Sequence, residues 1–149
     1  VGYDKKLGTF VAKGAGTIPD AVEHLNYGDL LVGFNNYEFD KQCMENYTNM
    51  QITRQQYDIL AAVWKSLGTR VKGHGLDPLS KSTLGIGKTG TGEHAPKLFR
   101  EGRFGELIDY NINDVFLTRK LFNHIMEFGY VKRGKDKILI SPIFKEHRA

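Results

Sequence analysis

Apolar residues come in short runs separated by glycines and polar clusters, and the spacing within each run sets the element it predicts. Residues 1–4 and 9–12 read as two short strands joined by Asp4-Lys5-Lys6-Leu7-Gly8, an antiparallel hairpin. Thr17 is placed to cap a helix with Pro19 in its first turn and Asp20 at the capping-box position, burying Ala21, Val22 and Leu25 and ending at Gly28. Leu30, Leu31 and Val32 then form an apolar run of strand length that stops at Gly33. A short helix is expected from Asp40 to about Tyr47, and a stronger one over 56–67, where Ile59, Leu60, Val63, Trp64 and Leu67 recur at helical spacing and Trp64 is the core anchor. Gly68 closes it. The stretch 74–84 predicts a further helix with Leu76, Leu79 and Leu84 inward. Helices over 95–101 and 104–111 precede a long run over 114–128 carrying Val115, Leu117, Leu121, Phe122, Ile125 and Met126, with Gly129 as its cap. Residues 130–132 and 138–140 make a closing hairpin around Arg133-Gly134-Lys135-Asp136-Lys137. This order of strands and helices predicts one α/β domain over 1–149, with no internal repeat and no linker that would divide it.

Composition narrows the class without naming a chemistry. The chain has 149 residues, 40% hydrophobic and 26% charged, enough to bury a core. No apolar run approaches the roughly 20 residues of a membrane span, and no basic region followed by an apolar signal core opens the chain, so the expectation is a cytoplasmic or nuclear protein, not secreted and with no membrane partner. Cys43 has no second cysteine to pair with and is expected as a packed thiol on its helix. The net charge of +4 and pI near 9.1 suit a polyanion such as nucleic acid. Lysines and arginines gather at Lys65, Arg70, Lys72, Lys81, Lys88, Lys97, Arg100 and Arg103, in a glycine-rich middle third. The alternative is a solvated basic face. Within it, 85–92 is the stretch of greatest expected flexibility. Gly87-Lys88-Thr89 has the ending of a phosphate loop, but Ser82 stands where that loop requires glycine and a helix precedes it, so a mobile basic loop is the better description.

Two stretches carry candidate chemistry. The buried strand at 30–32 hands over to Gly33-Phe34-Asn35-Asn36-Tyr37-Glu38-Phe39-Asp40, which places Asp40 near the C-terminal end of a strand, where α/β sheets put their ligands. The second is Leu107-Ile108-Asp109-Tyr110-Asn111-Ile112-Asn113-Asp114-Val115. Tyr110 and Asp114 are four residues apart, so in a continuous helix a phenol and a carboxylate share one face, one turn apart. Asp58, at the start of a helix, reads as a charge favoured by the helix dipole, and His74 and His94 border the basic loop.

Together these stretches resemble the DEDD-type 3′-5′ exonucleases of the ribonuclease H-like superfamily, closest to the tyrosine subclass and the proofreading domains of family B DNA polymerases. That group's second motif is Asn-x-x-x-Phe-Asp after a strand ending in Gly-Phe/Tyr, matched by Gly33, Phe34, Asn35, Phe39 and Asp40. Its third is Tyr-x-x-x-Asp, matched by Tyr110 and Asp114. The segment between, with Tyr57-Asp58-Ile59-Leu60, the leucines of 76–84 and Leu84-Gly85-x-Gly87-Lys88, also looks like the family, so the resemblance covers nearly the whole chain. It implies a ribonuclease H-like three-layer fold with a mixed central sheet, and hydrolysis of phosphodiester bonds at a single-stranded 3′ end, DNA ahead of RNA. It implies two Mg²⁺ or Mn²⁺ ions, since hard cations held by carboxylates stabilise the extra charge and activate a water. Asp40 and Asp114 would be metal ligands and Tyr110 would orient the water. Asn35 and Phe39 would sit beside the last nucleotides, Phe34 would be core, and Lys88, Lys97 and Arg100 would meet the strand's backbone.

The family's first motif, Asp-x-Glu on a strand, does not occur before Gly33. Asp20 and Glu23 are three apart on a helix, and Asp4 stands in a turn. The expectation is therefore a fragment lacking its first strand, supplied upstream or by another chain, with a fused polymerase or helicase as a further partner. Without that strand, exonuclease activity is expected to be absent. Two alternatives stand beside the enzyme: a catalytically inactive nucleic-acid-binding module of the same fold, and an α/β domain whose Asp40 and Asp114 are ordinary surface carboxylates.

Overall fold

The longest element is a 25-residue helix, α6 (Phe104–Phe128), against which α4, α5, β1, β3 and β5 pack. The computed structural model describes residues 1–90 and 93–141. Ahead of α6 come β1 (Gly2–Asp4), β2 (Thr9–Val11), a 3-10 turn (Ala15–Thr17), α1 (Ile18–Tyr27), β3 (Leu31–Gly33), α2 (Asp40–Thr48), β4 (Gln56–Asp58), α3 (Ile59–Leu67), α4 (Leu76–Leu84) and α5 (His94–Arg100). After it come β5 (Tyr130–Arg133) and β6 (Asp136–Leu139). The fold is mixed α/β. Among the described residues no helix is long and apolar enough to cross a membrane.

Leu117, Leu121 and Ile125 recur every fourth residue and are fully buried, so the C-terminal half of α6 presents one apolar stripe. Tyr57, Ile59, Ala62, Val63, Leu79, Val131, Ile138 and Ile140 close around Leu121 and Ile125 to form the core, with Leu30, Val32 and Phe34 packed against it. The core thus lies between α3, α4, the end of α6 and the closing hairpin. Gly129 (φ 73°) adopts the left-handed conformation that ends α6, its N–H donating to the Ile125 carbonyl at 2.8 Å.

The strands pair in both senses. β1 runs antiparallel to β2 with Tyr3 opposite Phe10, β3 runs parallel to β4 with Val32 opposite Tyr57, and β5 runs antiparallel to β6 with Val131 opposite Ile138. Among the described residues they stand as three two-stranded sheets rather than one central sheet. β1, β3 and β5 nevertheless all pack on α6.

Several expectations are corrected. The helix predicted over 56–67 begins at Ile59, and its first three residues are β4, because the Leu31, Val32 and Gly33 backbone offers them a parallel ladder. The break predicted between 104–111 and 114–128 is absent: Asn111 and Asn113 cost a helix only tenths of a kcal/mol, roughly, and α5, β1 and β3 support it. Thr17 does not cap α1; its Oγ1 donates back to the Gly14 carbonyl at 3.1 Å, stabilising the 3-10 turn instead. Trp64 lies half-buried at the core's margin, its Nε1–H donating to the Val71 carbonyl at 3.3 Å and its ring stacked under Arg70. Cys43 is exposed, because α2 turns that face to solvent.

Candidate functional site

The N-terminal half of α6 carries Tyr110 and Asp114 on one face, and the segment after α4 folds onto that face. Lys88 Nζ lies 2.7 Å from Asp114 Oδ2 and 3.0 Å from the Tyr110 hydroxyl. Thr89 N–H donates to Asn113 Oδ1 at 3.2 Å. A Cβ on Gly90 would meet the Tyr110 ring at 3.4 Å, so the backbone passes directly over the phenol. The other end of this turn is tied down by Asp77, which accepts the Lys88 backbone N–H on Oδ1 at 2.7 Å and the Lys81 ammonium on Oδ2 at 2.8 Å. Those two interactions, the Lys81 ammonium first, hold the Asp77 carboxyl below the usual carboxylate range.

Within the stretch expected to be a mobile basic loop, Lys88 is held at both its backbone and its side chain. Thr91 and Gly92 lie outside the described residues. Burial alone would lower the Lys88 ammonium, but the hydrogen bonds to Asp114 and Tyr110 outweigh it and raise the group above its ordinary value. Asp114 Oδ1, by contrast, is buried without a hydrogen-bond partner among the described residues.

Asp40 belongs to a second neighbourhood. Gly33 ends β3 where a Cβ would fall 2.4 Å from Asn36 Cγ, so only glycine allows the turn that follows. Asn35 sits at φ 61°, a left-handed conformation that asparagine tolerates, which by itself accounts for asparagine at this position. Asp58 fixes the turn: its Oδ1 accepts the Asn35 N–H at 2.9 Å, its Oδ2 the Tyr37 N–H at 3.1 Å, and Oδ1 also accepts Leu60 and Ala61 N–H groups at 3.0 and 3.3 Å as the cap of α3. Asp58 is thus buried and structural, more than the dipole charge expected of it. Its place opposite Gly33 in the parallel ladder is the signal that spacing along the chain did not reveal. Phe39, 63% exposed, precedes α2, and Asp40 opens it. Although Asp40 is exposed as a residue, burial of its carboxyl raises its pKa, with the Asp58 charge adding to the rise against lowering by its own backbone N–H and the chain's amino terminus.

The structure thus brings together Lys88, Tyr110 and Asp114, and places Asn35, Phe39 and Asp40 around the turn after β3. Lys97 and Arg100 lie on the exposed side of α5, Lys97 paired loosely with Glu101 at 3.9 Å. Phe34 packs against the core, as its sequence context predicts. Among the described residues no group of three or more histidine, cysteine, aspartate or glutamate side chains is arranged to hold a metal ion. Asp114 alone, already facing Lys88, does not make a site for a hard cation, and two-metal chemistry needs carboxylates beyond those gathered here. No protein-family model, curated protein or solved structure matches the chain.

Proposed function

We propose that this chain is a ribonuclease H-like 3′-5′ exonuclease domain acting on single-stranded nucleic-acid ends, DNA ahead of RNA. The observation that carries the reading is the Lys88, Tyr110 and Asp114 cluster: a phenol and a carboxylate one turn apart on a continuous helix, with an ammonium 3.0 and 2.7 Å from them. That set holds the three capacities phosphodiester hydrolysis asks of side chains, namely a cation ligand, a hydroxyl that orients water and a positive charge for phosphate. Together with the acids of an added Asp-x-Glu strand, Asp114 and Asp40 would hold Mg²⁺ or Mn²⁺, which supplies charge neutralisation and a more acidic water when bound. The Tyr110 hydroxyl would direct the attacking water, Phe39 would pack on the terminal base, and Lys97 and Arg100 would meet the phosphate backbone. The remaining acids are assigned to an Asp-x-Glu strand, for which a place between β1 and β3 is consistent with both of those strands packing on α6 while pairing, among the described residues, only with β2 and β4.

A second reading, an inactive nucleic-acid-binding module, is favoured by one observation: Asp114 already has a cation in Lys88. One experiment separates the two. The 149-residue chain, alone and preceded by an Asp-x-Glu strand, is incubated with 3′-labelled single-stranded DNA and Mn²⁺. Stepwise loss of 3′ nucleotides from the extended protein, abolished by Asp114→Ala, supports the exonuclease. Tight binding with no degradation in the extended protein assigns the binding module, and neither binding nor cleavage removes both.

A further inference from the structure

The closing hairpin carries charge that no carboxylate described in the fold answers. Lys132, Arg133, Lys135 and Lys137 lie close together in sequence, with Asp136 the one acid among them. In the middle of the chain Lys81, Lys88, Lys97 and Arg103 each meet a carboxylate, whereas the hairpin cations make no ion pair among the described residues. Arg133 is committed elsewhere, its Nε–H donating to the Gly73 carbonyl. Register aligns two of the others. Val131 and Ile138 are opposite one another and buried in the core, so strand alternation turns Tyr130, Lys132, Lys137 and Leu139 to the outer face, with Lys132 directly across from Lys137. Like charges directly opposite destabilise a strand pair. Here both ammonium groups lie near the Tyr130 ring, its centre 4.0 Å from Lys137 Nζ and 6.0 Å from Lys132 Nζ.

Beside the lysines the surface is apolar and open. Phe128 is 57% exposed and Leu139 68%. The His124 ring backs both aromatics, its centre 4.7 Å from that of Phe128 and 4.8 Å from that of Tyr130. Burial, with the Lys132 charge adding to it, lowers the His124 pKa against the opposing charge of Glu127, so at neutral pH this backing is uncharged. The hairpin is also fastened in place on α4: Lys132 N–H donates to Thr83 Oγ1 at 2.8 Å and Gly134 N–H to Ser82 Oγ at 2.9 Å.

We propose that the outer face of the closing hairpin binds single-stranded nucleic acid, with Lys132 and Lys137 meeting backbone phosphates and the exposed Phe128 ring stacking on a base. Phosphates beside the two lysines would relieve their mutual repulsion. An acidic peptide would do the same but leave Phe128 in water, whereas a nucleotide brings an anion and a flat ring together. A cation pair next to an open, backed aromatic is what sequence-independent single-strand binding uses, and the bases of a duplex are not free to stack on it. The surface is separate from the Tyr110 and Asp114 cluster, since Phe128 ends α6 about 21 Å along its axis from Asp114. The inference takes from the proposed function only that single-stranded nucleic acid is a partner, and it needs neither metal nor cleavage.

Fluorescence anisotropy of a fluorescein-labelled oligothymidylate, titrated with the full chain in EDTA over a series of KCl concentrations, tests this. Lys132→Gln combined with Lys137→Gln is expected to weaken binding about tenfold at about 0.1 M KCl and to reduce the slope of log affinity against log salt by about 1.4. Phe128→Leu is expected to weaken binding about fivefold and leave that slope unchanged, because it removes stacking and no charge. Lys6→Gln combined with Lys13→Gln takes the same charge from two exposed positions near the N-terminal hairpin, and should change affinity less than about twofold. Circular dichroism melts establish that each variant is folded. The surface is overturned if the unaltered chain does not bind the oligonucleotide, if the folded Lys132 and Lys137 variant binds as tightly as the unaltered chain, or if the N-terminal variant loses as much. Unchanged affinity in Phe128→Leu overturns the stacking. Sedimentation with phosphatidylserine vesicles that is lost in Phe128→Leu, without oligonucleotide binding, assigns the face to a membrane and overturns the proposal. Weakened binding in the hairpin variants, with no 3′ nucleotides released by the protein extended with an Asp-x-Glu strand, supports this surface while removing the exonuclease. Release of 3′ nucleotides by that extended protein, with hairpin variants that bind normally, does the reverse.

Discussion

Around Asp114 the fold supplies a lysine, fixed by a dedicated carboxylate, whereas around Asp40 it supplies a second carboxylate, Asp58, committed to four backbone N–H groups. The two acids that sequence patterning nominates as equals are therefore electrostatic opposites. Asp114 is ion-paired through Oδ2 to Lys88, while its Oδ1 is buried without a partner among the described residues. Asp40 has its carboxyl pushed upward by burial, with the Asp58 charge adding to the rise, and no ion pair to it is described.

The largest expected effect is at the carboxylate that shapes the Asp40 side. Asp58→Ala removes the acceptor of four N–H groups in one step, two in the turn after β3 and two at the start of α3. It should lower the unfolding free energy by about 3 kcal/mol, combining a lost helix cap with unsatisfied partly buried donors. Urea unfolding followed by circular dichroism measures it, and a loss below about 1 kcal/mol would show that the turn is held by something else.

A pair of glycines tests whether the two sides differ in stiffness as well as charge. In Gly33→Ala the new methyl would lie 2.4 and 2.6 Å from Asn36 Cγ and Cβ, atoms close to the main chain and tied by Asn36 Nδ2 to Gln56 Oε1 at 2.7 Å. In Gly87→Ala the new methyl would lie 2.3 and 2.9 Å from Lys81 Cε and Cγ and 2.8 Å from Asp77 Oδ1, all atoms of exposed or half-buried surface side chains that can swing aside. The first should cost about 1 to 3 kcal/mol and the second under about 1 kcal/mol. Denaturant midpoints of the two variants, measured together, decide it; the reverse order would break the contrast.

Much of this was legible from patterning and much was not, and the division is physical. Gly68 and Gly129 end their helices in the left-handed conformation that glycine makes accessible, so single residues marked the boundaries. Both terminal hairpins are local and lie where their turns predicted them. β4 was hidden because three residues are too few to establish a period, and their partner, β3, lies far away in sequence. The pairing of Lys88 with Tyr110 and Asp114 likewise joins residues with no local relation: composition marks Lys88 as one basic residue among many, and only the packing of the 85–90 turn on α6 singles it out.

The smallest effect is a matter of pH. Because the Asp40 pKa is raised on folding, its charged form destabilises the native state, and this penalty is fully present above the folded-state value. It fades as pH falls through that value and is gone below the unfolded value of about 3.9. Asp40→Asn should therefore be more stable than the unaltered chain at about pH 7 and no more stable at about pH 3, as read by urea midpoints at both. A variant that is less stable at neutral pH would mean that Asp40 is favourably paired, and the opposition between the two acids would dissolve.

The continuity of α6 has a consequence for how such a protein can vary. A helix of 25 residues is about 37 Å long. Its far half is locked into the core by Leu117, Leu121 and Ile125, and its near half carries Tyr110, itself buried, and Asp114. The phenol and the carboxylate are thus spaced by the helix itself and inherit their rigidity from a distant anchorage, whereas Lys88 arrives on a turn held by a few polar contacts. A lineage could rewrite that turn, exchanging the lysine for a neutral residue or a different anchor, while the spacing of the pair on the helix stayed fixed. Charge partner and framework are carried by separate parts of the chain.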